Sequence, residues 1–235
     1  IPIGMINKLL ELMEFHILML LDDSPSMNTV DSKDMKGKSC SRWREMQERL
    51  YVFGEILSYI PCKSVTLRFL NRESVITMDH KQHTPTTFRA AFVAAVDREF
   101  QAVPTRGSTP IVVALEKVLH EVSMRMDGTS LYLLTGGEPD GGQFSIDKIE
   151  NMLMRRDSKK TPLTFVSCSG NDDAVQWMKE LEERVPNTAE VDDFETEREE
   201  VLHDETDVVP YTKGFWLICQ LVGAMNPDDL DALDE

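Results

Sequence analysis

"FHILMLLDDSPSM", residues 15–27, runs from an apolar stretch straight into two acids, two serines and a proline. Phe15–Leu21 is too short for a helix of its own and stops at turn-forming residues, the pattern of a strand buried on both faces. Such strands belong to parallel sheets that helices cover on both sides. Ligands in those folds bind beyond the carboxyl ends of the strands, where the loops diverge. Asp22, Asp23, Ser24 and Ser26 therefore lie where a site is expected.

The rest of the chain supplies the covering. Trp43, Met46, Leu50, Phe53, Leu57 and Ile60 recur every three or four residues, one face of a helix that Pro61 ends. Val65, Leu67 and Phe69 alternate as a strand, "NRES" (71–74) turns the chain, and Val75–Met78 returns antiparallel at the sheet edge. Phe88, Ala91, Phe92, Ala95 and Val96 mark the next helix. Another opens in "GSTPIVVALEKVLHEV" (107–122), with Thr109 placed as its N-cap and Pro110 in its first turn. Ser130–Leu134 and Leu163–Val166 read as further buried strands, each followed by a helix, through Ile146–Leu153 and Val175–Leu181; a last helix runs through Phe215–Ala224.

Apolar strands alternating with amphipathic helices predict one doubly wound α/β domain over residues 1–225. Its sheet is mainly parallel with one antiparallel edge strand, and helices lie on both faces. Between Glu190 and Asp207 ten of eighteen residues are acidic, which predicts a solvated loop with at most a short strand; the tail 226–235 is acidic as well.

A formal net charge of −16 argues against nucleic acid, which is bound by neutralising phosphates with Lys and Arg. The longest apolar stretches, Ile17–Leu21 and Phe215–Met225, fall short of the ~18 to 20 residues that cross a bilayer. "IPIGMINKLLELMEFH" (1–16) lacks the basic start, apolar middle and cleavage site of a secretory signal, and a first residue of Ile fits a trimmed N-terminus. Cys40, Cys62, Cys168 and Cys219 form no C-x-x-C pair, neither a zinc spacing nor a disulfide framework. Three of them sit in or beside apolar runs, the setting of small buried hydrophobes in a reducing compartment. A cytoplasmic protein is expected.

Asp22, Ser24 and Ser26 are spaced i, i+2, i+4 and converge if the chain turns after the strand. One carboxylate and two hydroxyls suit a hard divalent cation such as Mg²⁺, although the bare D-x-S-x-S pattern equally describes a polar turn with capping serines. Two further loops carry matching pieces, Thr109 in "RGSTPI" (106–111) and "LLTGGEPD" (133–140). Together these resemble the von Willebrand factor A family, whose doubly wound domain builds a metal-ion-dependent adhesion site from D-x-S-x-S, a threonine in a second loop and an aspartate in T-D-G. The resemblance spans roughly Phe15 to Val166. It implies Mg²⁺ or Mn²⁺ held by Asp22, Ser24, Ser26 and Thr109, and a protein partner whose Glu or Asp carboxylate completes the metal shell. The third loop departs from the pattern, with Gly136 standing where the family has its acid. That predicts a weakened, degenerate site, with Asp23, Glu138 or Asp140 near enough in sequence to substitute, and a Gly136→Asp change that tightens metal binding.

A non-catalytic interaction module or adaptor follows, with a metal-independent scaffold as the alternative. A Mg²⁺-dependent phosphatase would need an aspartate two residues after Asp22, where this chain has Ser24. A serine hydrolase would need a histidine base, and no G-x-S-x-G elbow is present. His80 and His83 form H-x-x-H in a polar connection without a third zinc ligand. Trp43, Trp177 and Trp216 fall on apolar helix faces as core anchors.

Overall fold

The computed structural model describes residues 3–104, 106–192, 194, 197–198 and 212–225. Six strands form one sheet in the spatial order β5-β4-β1-β6-β7-β8. In chain order these are β1 (Phe15–Leu21), β4 (Ser64–Phe69), β5 (Val75–Met78), β6 (Gly128–Thr135), β7 (Leu163–Ser167) and β8 (Thr188–Val191). All neighbours are parallel except β5, which runs antiparallel to β4 at the edge with Val65 opposite Met78. This is the doubly wound α/β architecture that the alternation of strands and helices predicts.

Among the described residues, these helices pack around the sheet: α1 (Ile3–Glu11), α2 (Arg42–Ser58), α3 (Pro85–Phe100), α4 (Ile111–Ser123), α5 (Gln143–Met154), α6 (Asp172–Arg184) and α7 (Lys213–Val222). Side chains on a strand alternate between its two faces, and β1 shows the consequence. Ile17, Met19 and Leu21 join one core with α2, α3 and α7, whereas Leu18 and Leu20 join a second core with α4, α5 and α6. Both faces of β1 are therefore dry, and burying each such side chain contributes about 1.5–3 kcal/mol. Gly54 allows α3 to approach α2 closely, because a Cβ there would collide with the Phe92 ring.

Several local features differ from the sequence reading. The helix expected to reach Pro61 stops at Ser58, and Ile60 is buried beyond its end. The polar stretch before α2 contains a short antiparallel pair, β2 (Ser32–Lys33) and β3 (Ser39–Cys40). The N-terminal residues Ile3–Glu11 form a helix. The expected solvated loop at 190–207 begins instead inside the fold: Glu190 lies on β8 and is 8% exposed, and Asp192 is 1% exposed and paired with Lys179 at 2.8 Å. The remainder of that segment, save residues 194, 197 and 198, and the tail 226–235 lie outside the described residues. Cys62, Cys168 and Cys219 are buried, Cys40 is half-buried, and all four are free thiols. Among the described residues no helix is long and apolar enough to cross a membrane.

Candidate metal centre

β1 is flanked by parallel strands on both sides, so the loops that leave β4, β1 and β6 emerge together at the carboxyl edge of the sheet. Asp22 is the first residue beyond β1. Its N–H donates to the Leu134 carbonyl at 2.9 Å, while the Leu21 carbonyl accepts from Leu70 N at 3.0 Å, which fixes the strand end between its neighbours. Both carboxylate oxygens accept hydrogen bonds, Oδ1 from Ser24 N at 2.8 Å and Oδ2 from the Thr135 hydroxyl at 2.6 Å. Burial raises the pKa of this fully enclosed carboxyl group, against the opposing pull of the Thr135 and Ser24 hydrogen bonds.

A 3₁₀ turn over Pro25–Asn28 folds the chain back, with Met27 N donating to the Ser24 carbonyl at 3.1 Å and the Met27 side chain buried as an anchor. The turn brings Ser24 Oγ and Ser26 Oγ to 2.8 Å from each other. Oxygens on one edge of an octahedral Mg²⁺ shell, with bonds of 2.0–2.1 Å, stand roughly 2.9 Å apart. The third loop closes in from β6: a Cβ on Gly137 would lie 3.9 Å from Ser26 Oγ.

Thr109 reaches this edge through its backbone. Its N–H donates to Asp140 Oδ1 at 3.0 Å, and its carbonyl accepts from Asp140 N at 3.0 Å. On the other side Asn71 Nδ2 donates to the Ser108 carbonyl at 2.9 Å and to Asp23 Oδ1 at 3.1 Å. The Thr109 loop thus bridges the ends of β4 and β6 on either side of β1. The expected N-cap role is corrected by the structure: α4 starts at Ile111 with Pro110 at the cap position and no side-chain capping bond. The paired exchange with Asp140 holds Thr109 outside the helix and leaves its hydroxyl out of capping.

Of the acids that could substitute at this edge, Asp23 and Asp140 are engaged with neighbouring loops, and Arg42 was not singled out from sequence. Asp23, 4% exposed, accepts from Asn71 N at 2.8 Å and from Arg72 Nε at 2.9 Å, so it locks the β4 loop to the β1 loop. Asp140 commits Oδ1 to Thr109, whereas Glu138 is exposed. Arg42, the first residue of α2, runs beside Gly136. It donates through Nη1 to the Gly136 carbonyl, through Nε to Asp31 Oδ1 at 2.8 Å, and through Nη2 to Asp31 Oδ2. The Arg42 hydrogen bonds hold the Asp31 pKa below the usual carboxylate range. An i-to-i+94 contact leaves no local trace in sequence.

The donor chemistry of Asp22, Ser24 and Ser26 fits a hard divalent cation, and at Gly136, where the sequence resemblance calls for an acid, the Arg42 guanidinium donates to the backbone carbonyl. Among the described residues no three His, Cys, Asp or Glu side chains gather as a ligand set of their own. His80 stacks on Phe88 with ring centroids 4.1 Å apart, and His83 meets the edge of the same ring at 6.1 Å, so both serve packing.

No protein-family model and no curated protein matches the sequence. Solved structures do match in shape. An aspartate-to-alanine mutant of the PilB minor pilin from Streptococcus sanguinis aligns over 94% of this chain at a TM-score of 0.60 and 12% identity. The unmutated pilin aligns over the same share at a TM-score of 0.57 and 12% identity. This chain spans 62% of the pilin's length. The ArnB paralog VWA2 from Sulfolobus acidocaldarius aligns over 83% of this chain and 46% of its own, at a TM-score of 0.47 and 15% identity. The pilin likeness is one of fold.

Proposed function

We propose that the chain is a non-catalytic protein-interaction module that receives a partner's Glu or Asp carboxylate at the carboxyl edge of the sheet, through Mg²⁺ or Mn²⁺ held by Asp22, Ser24, Ser26 and Thr109. The observation that carries this reading is the pair of serine hydroxyls at 2.8 Å beside the anchored Asp22 carboxylate. The motif resemblance and the convergence of the three loops support it. A bound divalent ion would supply an electrophilic centre for an incoming carboxylate. The protein's own residues do the rest: Thr135 and Ser24 N–H fix the Asp22 carboxylate, and the Pro25–Asn28 turn sets the two hydroxyls.

Calorimetry with Mn²⁺ tests the proposal. Wild type should release or absorb heat saturably, Asp22→Ala should not, and both should keep the same far-ultraviolet circular dichroism. An aspartyl peptide should bind wild type with Mn²⁺ and fail to bind in chelator. Absence of metal-dependent heat in wild type sinks the reading. A metal-independent scaffold is the second reading, favoured by the cationic Arg42 beside Gly136, where the resemblance calls for an acid; its signature is partner capture that chelator leaves unchanged. No turnover of a generic phosphate ester is expected under either.

A further inference from the structure

A Cβ on Gly136 would lie 2.6 Å from Arg42 Cδ and 3.1 Å from the Cys168 carbonyl oxygen. The first contact is with a side chain that has little room to yield. Arg42 is 6% exposed, its backbone N–H donates to the Thr29 carbonyl at 3.1 Å, and its guanidinium is held by Gly136 O and by both oxygens of Asp31. A planar fork bound bidentately to a carboxylate is among the most directional polar contacts available. Gly136 follows Thr135, whose hydroxyl holds Asp22. The guanidinium therefore brings a positive charge to the side of the site where the resemblance calls for a negative one.

We infer that Arg42 sets the divalent-cation affinity of this site: it crowds out a side chain at Gly136, and it takes both oxygens of the Asp31 carboxylate. The inference rests on the reading of Asp22, Ser24 and Ser26 as a cation site. Glycine at 136 and arginine at 42 are then one device. On this inference Gly136→Asp alone does not tighten metal binding, because the new side chain must first displace a buried, triply bonded arginine. Asp31 is a quarter exposed and borders a cavity of about 290 Å³, so removing Arg42 leaves its carboxylate open to water.

Two measurements on Gly136→Asp, Arg42→Ala and the double variant test this, one of them without metal. In chelator, Gly136→Asp should lower the melting temperature more in the wild-type background than in the Arg42→Ala background, where only the Cys168 carbonyl still crowds the new Cβ. Equal losses in both backgrounds overturn the exclusion of side chains at 136. With Mn²⁺, the double variant should bind about ten-fold or more tightly than Gly136→Asp, the scale of one added charged group beside a metal. Gly136→Asp binding as tightly as the double variant, or no Mn²⁺ binding by the double variant, overturns the role in affinity. Adding Asp22→Ala to the double variant separates the two readings. Mn²⁺ retained there means the ion sits away from Asp22, which refutes the proposed site whatever the chelator melts show.

Discussion

Thr135→Val isolates the contact on which the geometry of Asp22 most depends. Valine nearly matches threonine in shape, so the change opens no large cavity and removes chiefly the hydroxyl that donates to Asp22 Oδ2 at 2.6 Å. Asp22 is fully buried, and water cannot replace the lost donor. A hydrogen bond to a charged group contributes about 1.5–3 kcal/mol, and for a domain of this size each kcal/mol moves the melting temperature by about 2–4 °C. With a loss near 2 kcal/mol, the variant should melt ~6 °C lower in chelator at neutral pH. Supporting groups around a metal ligand typically contribute about 10–100-fold to affinity, so Mn²⁺ binding should weaken on that scale. A variant that melts within 1 °C of wild type, roughly the noise of the few-degree shift at stake, would refute the claim that Thr135 holds a charged Asp22.

Three other perturbations reach the rest of the fold. Tyr132 is buried, and its hydroxyl donates to the Leu221 carbonyl at 2.6 Å and accepts from Ser130 Oγ at 3.0 Å, so Tyr132→Phe should cost about 2 kcal/mol in urea unfolding. Arg156, whose pKa burial lowers to about 10, donates to the carbonyls of Leu153, Thr161, Pro186 and Asn187 and to Thr188 Oγ1; Arg156→Ala should cost about 3 kcal/mol and speed hydrogen exchange at the start of β8. Burial, then the charges of Asp192 and Glu197, push the Glu190 pKa well above the usual carboxylate range, and Glu190 Oε1 meets no hydrogen-bond partner among the described residues. A raised native pKa means stability that is full below the unfolded carboxylate value and is lost as pH rises through the native one. Glu190→Gln should therefore melt above wild type at pH 8 and not at pH 4, as read by calorimetric scans.

The strands were legible because both faces of β1, β6 and β7 are buried, which writes an uninterrupted apolar run into the chain. The antiparallel β5 was legible through its turn, and the first site loop through its i, i+2, i+4 spacing. Features joined across long stretches of chain were not. Arg42 meets Gly136 only through the packing of α2 against the sheet edge, and Asp23 finds Arg72 only once β4 lies beside β1. The Thr109 cap was misread because a threonine before proline is a common helix start, and the exchange with Asp140 that overrides it involves another loop. Glu190 and Asp192 were read as solvated from charge alone, although Val191 between them belongs to a buried strand.

The position of β1 also bears on how the chain comes together. It is synthesised before β6, yet one of its two ladders is made with that strand, and the Asp22–Thr135 bond joins residues 113 apart. Until Gly128–Thr135 has left the ribosome, an emerging polypeptide carries an oily strand with one row of amide groups unmatched, a template for wrong pairing. Fragments cut before residue 128 should clump where longer ones stay dispersed, so the order of synthesis makes the middle of the sheet its most vulnerable part.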